Sequence, residues 1–235
     1  MTGILAIETA TDSCSVAVYL NGQINQRCEE APRQHSQLVF AMLSELLEKG
    51  GLAQQGIQVI AYGSGPGSFT GLRIAASLVQ GLAYSCELPA LAVPTLAVLA
   101  QGALENGLVK HDDTVLCLLD ARINEVYSAI YCFEAGIAVL QQGPFATSPD
   151  QLSIRGTADM IAVGNGCRFL DRLPQSLQAR ILSSAAELAP HARDMFPLAL
   201  HKFELGEIQS AGKVQPLYVR DEISWKKLAQ QGKQI

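Results

Sequence analysis

A chain of 235 residues, 49% of them apolar, can build one domain or two small ones; its 17% of charged residues is below the roughly 25% that is usual. The formal charge is −5 with no run of Lys or Arg, which argues against an autonomous nucleic-acid-binding module, because neutralising phosphates needs clustered positive charge. No apolar run reaches the roughly 20 residues that span a bilayer, and "MTGILAIETATDS" lacks the basic start of a secretory leader, so the expectation is a cytoplasmic protein that does not enter a membrane.

In chain order, "GILAIE" and "CSVAVYL" read as two strands around the turn "TATDS". Asn21-Gly22 marks a tight hairpin into a third strand, "INQRCEE". "PRQHSQLVFAMLSELLEKGG" reads as a helix, with Ser36 as its cap, Lys49 in its last turn and Gly50-Gly51 as its stop. "IQVIAYGS" is a strand, followed by the glycine-rich loop "GPGSFTG" and a second helix over about 71–85. "LPALAV" is a strand, and "PTLAVLAQGALEN" a third helix with Pro94 in its first turn.

At "DDTVLCLLDARINEVYSAIYCFEAGIAVL" the pattern restarts: strand, acid-bearing turn, strand, tight turn, strand. The same order opens the chain about 110 residues earlier, a repeat of pattern rather than of identity. It points to two similar α/β halves, 1–107 and 108–235, with the boundary in the polar stretch "ENGLVKHD" and the last helix or tail packed back on the first half. "ADMIAVGNG" is a strand ending in a tight turn, and "SAAELAPHARDMFPLALHKFELG" reads as mostly helical.

The glycine-rich loop fails three tests of chemistry. A phosphate-binding P-loop needs G-x-x-x-x-G-K-[ST], and Gly71 is followed by Leu72 and Arg73. A dinucleotide fingerprint needs a third glycine where Thr70 stands, and a nucleophile elbow needs glycines where Pro66 and Thr70 flank Ser68. Two readings stay open. The backbone N–H groups of a helix start, with Arg73 near, can attract an anion. Alternatively, the glycines serve close packing of helix on strand.

Glu8 closes the first strand, where an acid positions magnesium in two-lobed phosphotransferases; a solvated or capping acid is the plainer reading. Asp120 and Glu125 flank the equivalent second turn with Arg122 between them, an Asp–Arg surface pair that orders the turn. The four histidines are far apart in sequence, so no metal site is expected, and His35 reads as a cap-region or surface residue. The six cysteines form no C-x-x-C pair and read as reduced core thiols. No Ser–His–Asp set can be assembled, so no residue receives a catalytic role.

The first two helices are wider in apolar surface than packing on one sheet requires. Leu38, Val39, Phe40, Met42, Leu43, Leu46 and Leu47 crowd the first; Leu72, Ile74, Ala75, Ala76, Leu78, Val79 and Leu82 nearly encircle the second. Either both helices are interior to the chain, or a second surface covers them. A partner interface is the reading adopted, with Leu38, Val39, Met42, Leu43 and Leu46 on one helix and Arg73, Ile74, Leu78 and Leu82 on the other. Alone, such a face would close on a second copy of the chain.

Together, "ILAIETAT", "CSVAV", "GPGSFTGLR", "LLDARINEVYSAIY", "VGNG" and "PLYVR…WKK" resemble the TsaB (YeaZ) family, in the family's order from Ile4 to Lys227. The resemblance implies a two-lobed actin-like fold of the ASKHA class, each lobe on a ribonuclease-H-like mixed sheet. It implies a non-catalytic role in placing threonylcarbamoyl on N6 of the adenosine 3′ of the anticodon, in tRNAs reading codons that start with A. It also implies a TsaD-like catalytic partner docked on the first two helices, a TsaE-like ATPase, and contact with tRNA only through the complex. The histidine-held metal of the catalytic relative does not carry over, because only His35 lies in that region. The chain is expected to have no cofactor of its own, with a weak or shared nucleotide site at the partner interface as the open option. Its contacts would be Glu8, Thr9, Ser64, Gly65, Gly67 and Ser68, with Glu8 standing where the family often has Asp. A small-molecule kinase or ATPase of the same fold is the alternative.

Overall fold

The computed structural model describes residues 2–30, 32–47 and 51–219. Two five-stranded mixed sheets form its lobes. The first sheet contains β1 (Gly3–Glu8), β2 (Ser13–Leu20), β3 (Gln23–Glu30), β4 (Ile57–Gly65) and β5 (Ala90–Pro94) in the order β3-β2-β1-β4-β5. The second contains β6 (Val115–Asp120), β7 (Val126–Glu134), β8 (Ile137–Thr147), β9 (Met160–Val163) and β10 (Ile181–Ala185) in the order β10-β9-β6-β7-β8. Counted within each lobe, both sheets run 3-2-1-4-5. The first three strands are antiparallel neighbours, and the fourth and fifth join in parallel. This is the ribonuclease-H-like sheet used twice, which makes an actin-like, two-lobed fold.

Both meanders turn by the same means. Asn21-Gly22 and Ala135-Gly136 each place two residues at positive φ (52° and 82°; 49° and 82°), the geometry whose twist matches paired strands. Asn tolerates that conformation and Gly has no side chain to oppose it; Ala135 adopts it at a cost.

Among the described residues there are five α-helices: α1 (His35–Leu46), α2 (Phe69–Ser85), α3 (Thr95–Glu105), the single turn α4 (Gln175–Gln178) and α5 (Phe196–Glu204). Side-chain alternation along β1 divides the first lobe. Leu5 and Ile7 face α1 and α2, whereas Ile4 and Ala6 face α3. On the second sheet Val115, Cys117 and Leu119 join that α3 cluster, while Leu116 and Leu118 pack under short 3-10 turns and α4. The central core therefore lies between the sheets, with α3 and α5 inside it. All nine residues from Thr95 to Ala103 are buried. It is α3, rather than α1 or α2, that is enclosed on every side.

Several boundaries differ from the sequence reading. Ser68, not Gly71, opens α2, its hydroxyl accepting the Gly71 N–H. Gln34 precedes α1 without a side-chain cap, so Ser36 is not its cap; Lys49 and Gly50 lie outside the described residues. Pro94 ends β5 and precedes α3 instead of entering its first turn. β8 runs on to Thr147 through Pro144, which an edge strand tolerates because no ladder bond is lost on its open side. β10 starts at Ile181, where the sequence reading assigns no element, and overlaps only Ser184 and Ala185 of the stretch read as helical, which is helical only from Ala192 to Glu204.

After β10 the chain returns to the first lobe. Ala192 N–H donates to Ser15 Oγ at 2.9 Å and Arg193 N–H to Gln26 Oε1 at 3.0 Å. Gln209 and Ala90 exchange two backbone bonds of 2.9 Å. The buried Tyr62 hydroxyl then gathers the last described segment: it donates to Gln215 O (3.1 Å) and accepts from Gln209 Nε2 (2.8 Å) and Gln215 N–H (3.2 Å). All six cysteines are free, with Cys14, Cys117 and Cys167 buried.

Candidate functional site

Two features of the first lobe lie side by side: a cleft between the lobes and the outer face of α1 and α2. The cleft encloses about 750 Å³. Its first-lobe wall is the β1–β2 turn (Ala10, Thr11, Asp12) and the start of α2 (Pro66 to Thr70, with Leu72 and Arg73). Its second-lobe wall holds Asp120, Arg122, Tyr127 and Asn165, and the C-terminal segment adds Leu217, Tyr218 and Val219.

The glycine-rich loop is built for contact between backbones. A Cβ on Gly71 would overlap the Thr9 carbonyl, and one on Gly67 the Ala10 carbonyl. Their absence lets the Thr9 hydroxyl donate to Gly71 O at 2.7 Å and Ser68 N–H donate to Ala10 O at 2.6 Å. The start of α2 is thereby fastened to the turn after β1. Of the two open readings, close packing is realised.

Four of the six anticipated anion contacts are turned inward. Glu8 and Thr9 are fully buried, and Ser64 and Gly65 are buried as well. Ser64 O accepts Leu217 N–H at 2.7 Å, and Gly65 N–H donates to Thr95 Oγ1 at 3.1 Å. Only Gly67 and Ser68 line the cleft, and the Ser68 hydroxyl is taken by the helix it caps. The solvated-acid reading of Glu8 is also corrected. Its Oε1 accepts Ala10 N–H at 2.8 Å and its Oε2 accepts the Thr95 hydroxyl at 3.4 Å. Burial pushes the carboxyl up to about 7, against those hydrogen bonds, which lower it. The space it occupies exists because Gly63 has no Cβ; one there would overlap the carboxylate.

Asp120, the acid that ends the equivalent strand of the second lobe, has cations beside it. Arg168 Nη2 donates to its Oδ2 at 2.8 Å, and Arg122 Nη1 lies 3.7 Å away. Arg122 also reaches across the cleft to Asp12 at 3.2 Å, so the expected local Asp–Arg pair is in addition a tie between lobes. Arg122, Ile123 and Asn124 all have positive φ, and Ile123 is 80% exposed at the tip of this turn. His35 is buried rather than superficial, its Nε2 donating to Thr11 O at 2.8 Å. Among the described residues no group of three or more His, Cys, Asp or Glu is placed to hold a metal ion.

The expected partner residues divide. Val39, Met42 and Leu43 are buried in the first lobe's own core, so they have no surface to offer and leave the list. Leu38, Leu46, Ile74, Leu78 and Leu82 are half-buried, and Arg73 is exposed. Phe40 (60% exposed) and Tyr84 on the same two helices extend the apolar surface and were not anticipated as contacts. Arg73 is held in place: its guanidinium lies 3.6 Å over the Phe69 ring, and its Nε donates to the Tyr218 hydroxyl at 3.1 Å. "PLYVR" was legible as a motif, but nothing local to it shows that Tyr218 reaches Arg73. Arg220 and the later residues of the motif's tail lie outside the described residues.

Comparisons with known proteins fit this geometry. A family model described as TsaD, tRNA N6-adenosine threonylcarbamoyltransferase, matches residues 23–199. The tRNA threonylcarbamoyladenosine biosynthesis protein TsaB of Escherichia coli is 38% identical over 96% of this chain and 97% of its own length. TsaB of Haemophilus influenzae is 30% identical over 96% of each. The solved structure of YeaZ from Pseudomonas aeruginosa superposes with a TM-score of 0.84 at 36% identity, covering 93% of this chain and all of that one. The chain belongs to the TsaB (YeaZ) family of tRNA threonylcarbamoyladenosine biosynthesis proteins, within the wider family that the TsaD model describes.

Proposed function

We propose that the protein is a non-catalytic subunit of the machinery that places threonylcarbamoyl on N6 of the adenosine 3′ of the anticodon, in tRNAs reading codons that start with A. It scaffolds or activates a TsaD-like catalytic subunit; a TsaE-like ATPase joins the pair, and tRNA is met through the complex. The observation that carries the reading is the identity with E. coli TsaB along nearly the whole of both chains. The accessory role is supported by Glu8, whose carboxylate is spent on Ala10 and Thr95 inside the protein instead of facing the cleft. A kinase or ATPase of this fold would need that acid at the cleft to position a metal-bound nucleotide.

The partner surface in this reading is the outer face of α1 and α2, with Leu38, Leu46, Ile74, Leu78 and Leu82 at its centre and Arg73 at its edge. Without a partner the same face closes on a second copy. The chain has no resident cofactor; a nucleotide would bind weakly, or jointly with the partner, at the shared interface.

Reconstitution tests the proposal. Unmodified tRNA is incubated with the TsaD-like and TsaE-like proteins and threonylcarbamoyl-AMP, with and without this chain. Modification is expected only when the chain is present, and none from the chain alone. Full modification in its absence, or ATP turnover by the chain alone, overturns the reading.

A further inference from the structure

Glu8 closes β1 inside the first lobe, and it forms no ion pair with any described residue. Its surroundings are built to receive it. Gly63 leaves room for the carboxylate, Thr95 offers a hydroxyl from the start of α3, and the turn after β1 offers the Ala10 N–H.

Ala10 is the link outward. Its N–H is bound to Glu8, and its carbonyl accepts Ser68 N–H at the start of α2. Thr9, one residue from Glu8, donates to Gly71 O in the first turn of the same helix. The backbone is too close at Gly67 and Gly71 for the helix start to shift without breaking these bonds. Glu8 and the start of α2 are thus two ends of one short hydrogen-bonded connection.

We propose that Glu8 is a proton-controlled positioning residue, whose ionisation sets how firmly the start of α2, and with it the partner-facing surface, is held against the end of β1. The inference rests on the reading that this surface meets a TsaD-like partner. As a neutral acid, Glu8 is buried at little electrostatic cost. Ionised, it is an anion without a cation, and loosening of the turn and helix start relieves it by admitting water. A partner packed on α2 opposes that loosening and so favours the protonated form. Binding then takes up a proton, and the complex weakens as pH rises through the folded carboxyl's range, near 7.

On the segment packed against β1, burial pushes Asp194 up to about 6 and lowers His191; both are unchanged in Glu8→Gln, so their slopes stay common to wild type and variant. The other titratable groups around Glu8 do not substitute for it. Burial pushes the Cys14 thiol on β2 up to about 12. Tyr62 on β4 is bonded to the C-terminal segment, and His35 on α1 to Thr11 O. Asp12 in the turn is paired with Arg122, and Arg73 on α2 is bonded to Tyr218.

The test compares wild type with Glu8→Gln. The dissociation constant for the TsaD-like partner is measured between pH 6 and 8.5, and amide hydrogen exchange at residues 69–73 is followed in the chain alone over the same range. The wild-type complex is expected to be about tenfold weaker at pH 8.5, the equivalent of one unit of pKa difference between free and bound states. Exchange should also accelerate beyond the intrinsic effect of pH. Glu8→Gln should remove the Glu8 share of both profiles and leave only the shallower slope that Asp194 and His191 give. Carboxyl-carbon NMR of Glu8 in the wild type supplies a measurement that needs no variant, with a midpoint near 7 expected. A midpoint below 5, or an exchange profile shared by wild type and variant, overturns the proposal. Absence of any wild-type complex at pH 6 overturns the partner reading instead, and exchange and NMR still decide the role of Glu8.

Discussion

The two lobes share a strand order and differ at the end of their first strand. In the first lobe Glu8 is buried with two neutral hydrogen-bond donors, under a loop that leads into a 17-residue helix. In the second, Asp120 meets two arginines, and the elements after β9 are a 3-10 turn (Asn165–Arg172) and the four-residue α4. One topology therefore supports opposite electrostatic solutions. Where helices cover the strand end, water and cations are kept out and the acid is driven towards its neutral form. Where the cover is short, arginines reach the acid and it stays paired. The long helices of the first lobe also carry the half-buried Leu38, Leu46, Ile74, Leu78 and Leu82 and the exposed Phe40 and Tyr84 on their outer face.

The sharpest way to break this comparison is to place a charge on each side of α1 and α2. Met42→Asp puts an uncompensated anion in the first-lobe core and should cost more than about 4 kcal/mol, seen as loss of the folded state in urea titration. Leu78→Asp, on the half-buried outer face, should leave the chain folded and monomeric while abolishing partner capture in size-exclusion chromatography. If Met42→Asp folds normally, the division between core and face is wrong.

A pH series isolates the buried acid of the first lobe. Glu8 keeps its proton in the folded state to about 7, whereas the unfolded chain releases it near 4.5. Stability is therefore lost as pH rises between those values, by roughly 3 kcal/mol in all. Glu8→Gln should remove most of that slope in denaturation midpoints measured from pH 4.5 to 8. Asp194, which burial pushes up to about 6, contributes a smaller slope of the same sign and would remain.

Asp120→Asn removes charge from pairs whose arginines are largely exposed, so a loss of at most about 1 kcal/mol is expected, shrinking in 1 M salt. The smallest change should be a gain. Ala135→Asn gives the second hairpin the residue the first already has at positive φ, and should add about 0.5 kcal/mol, read as a small rise in Tm. A loss there would show that the hairpins are not equivalent.

Much of this was legible in residue order. Alternation, Asn21-Gly22 and the recurrence of strand, acid and turn are local signals, and they survive because hairpin twist and strand periodicity are set by neighbouring residues. β10 was not legible: only the ends of "ILSSA" are half-buried and its middle is exposed, so no apolar pattern announces it, and pairing with β9 makes it a strand. The width of apolar surface on α1 and α2 is legible in the sequence, but which residues face inward depends on the rotation of each helix against the sheet. That rotation buries Val39, Met42 and Leu43 and leaves Leu78 partly open.

By itself, the sequence determined the doubled α/β pattern, the helix-opening glycine loop and the motifs that mark the family. Only the tertiary structure decided the state of Glu8. Its environment is assembled from Gly63 on β4 and Thr95 on α3, 55 and 87 positions along the chain, and solvent exclusion is a property of that assembly rather than of any segment.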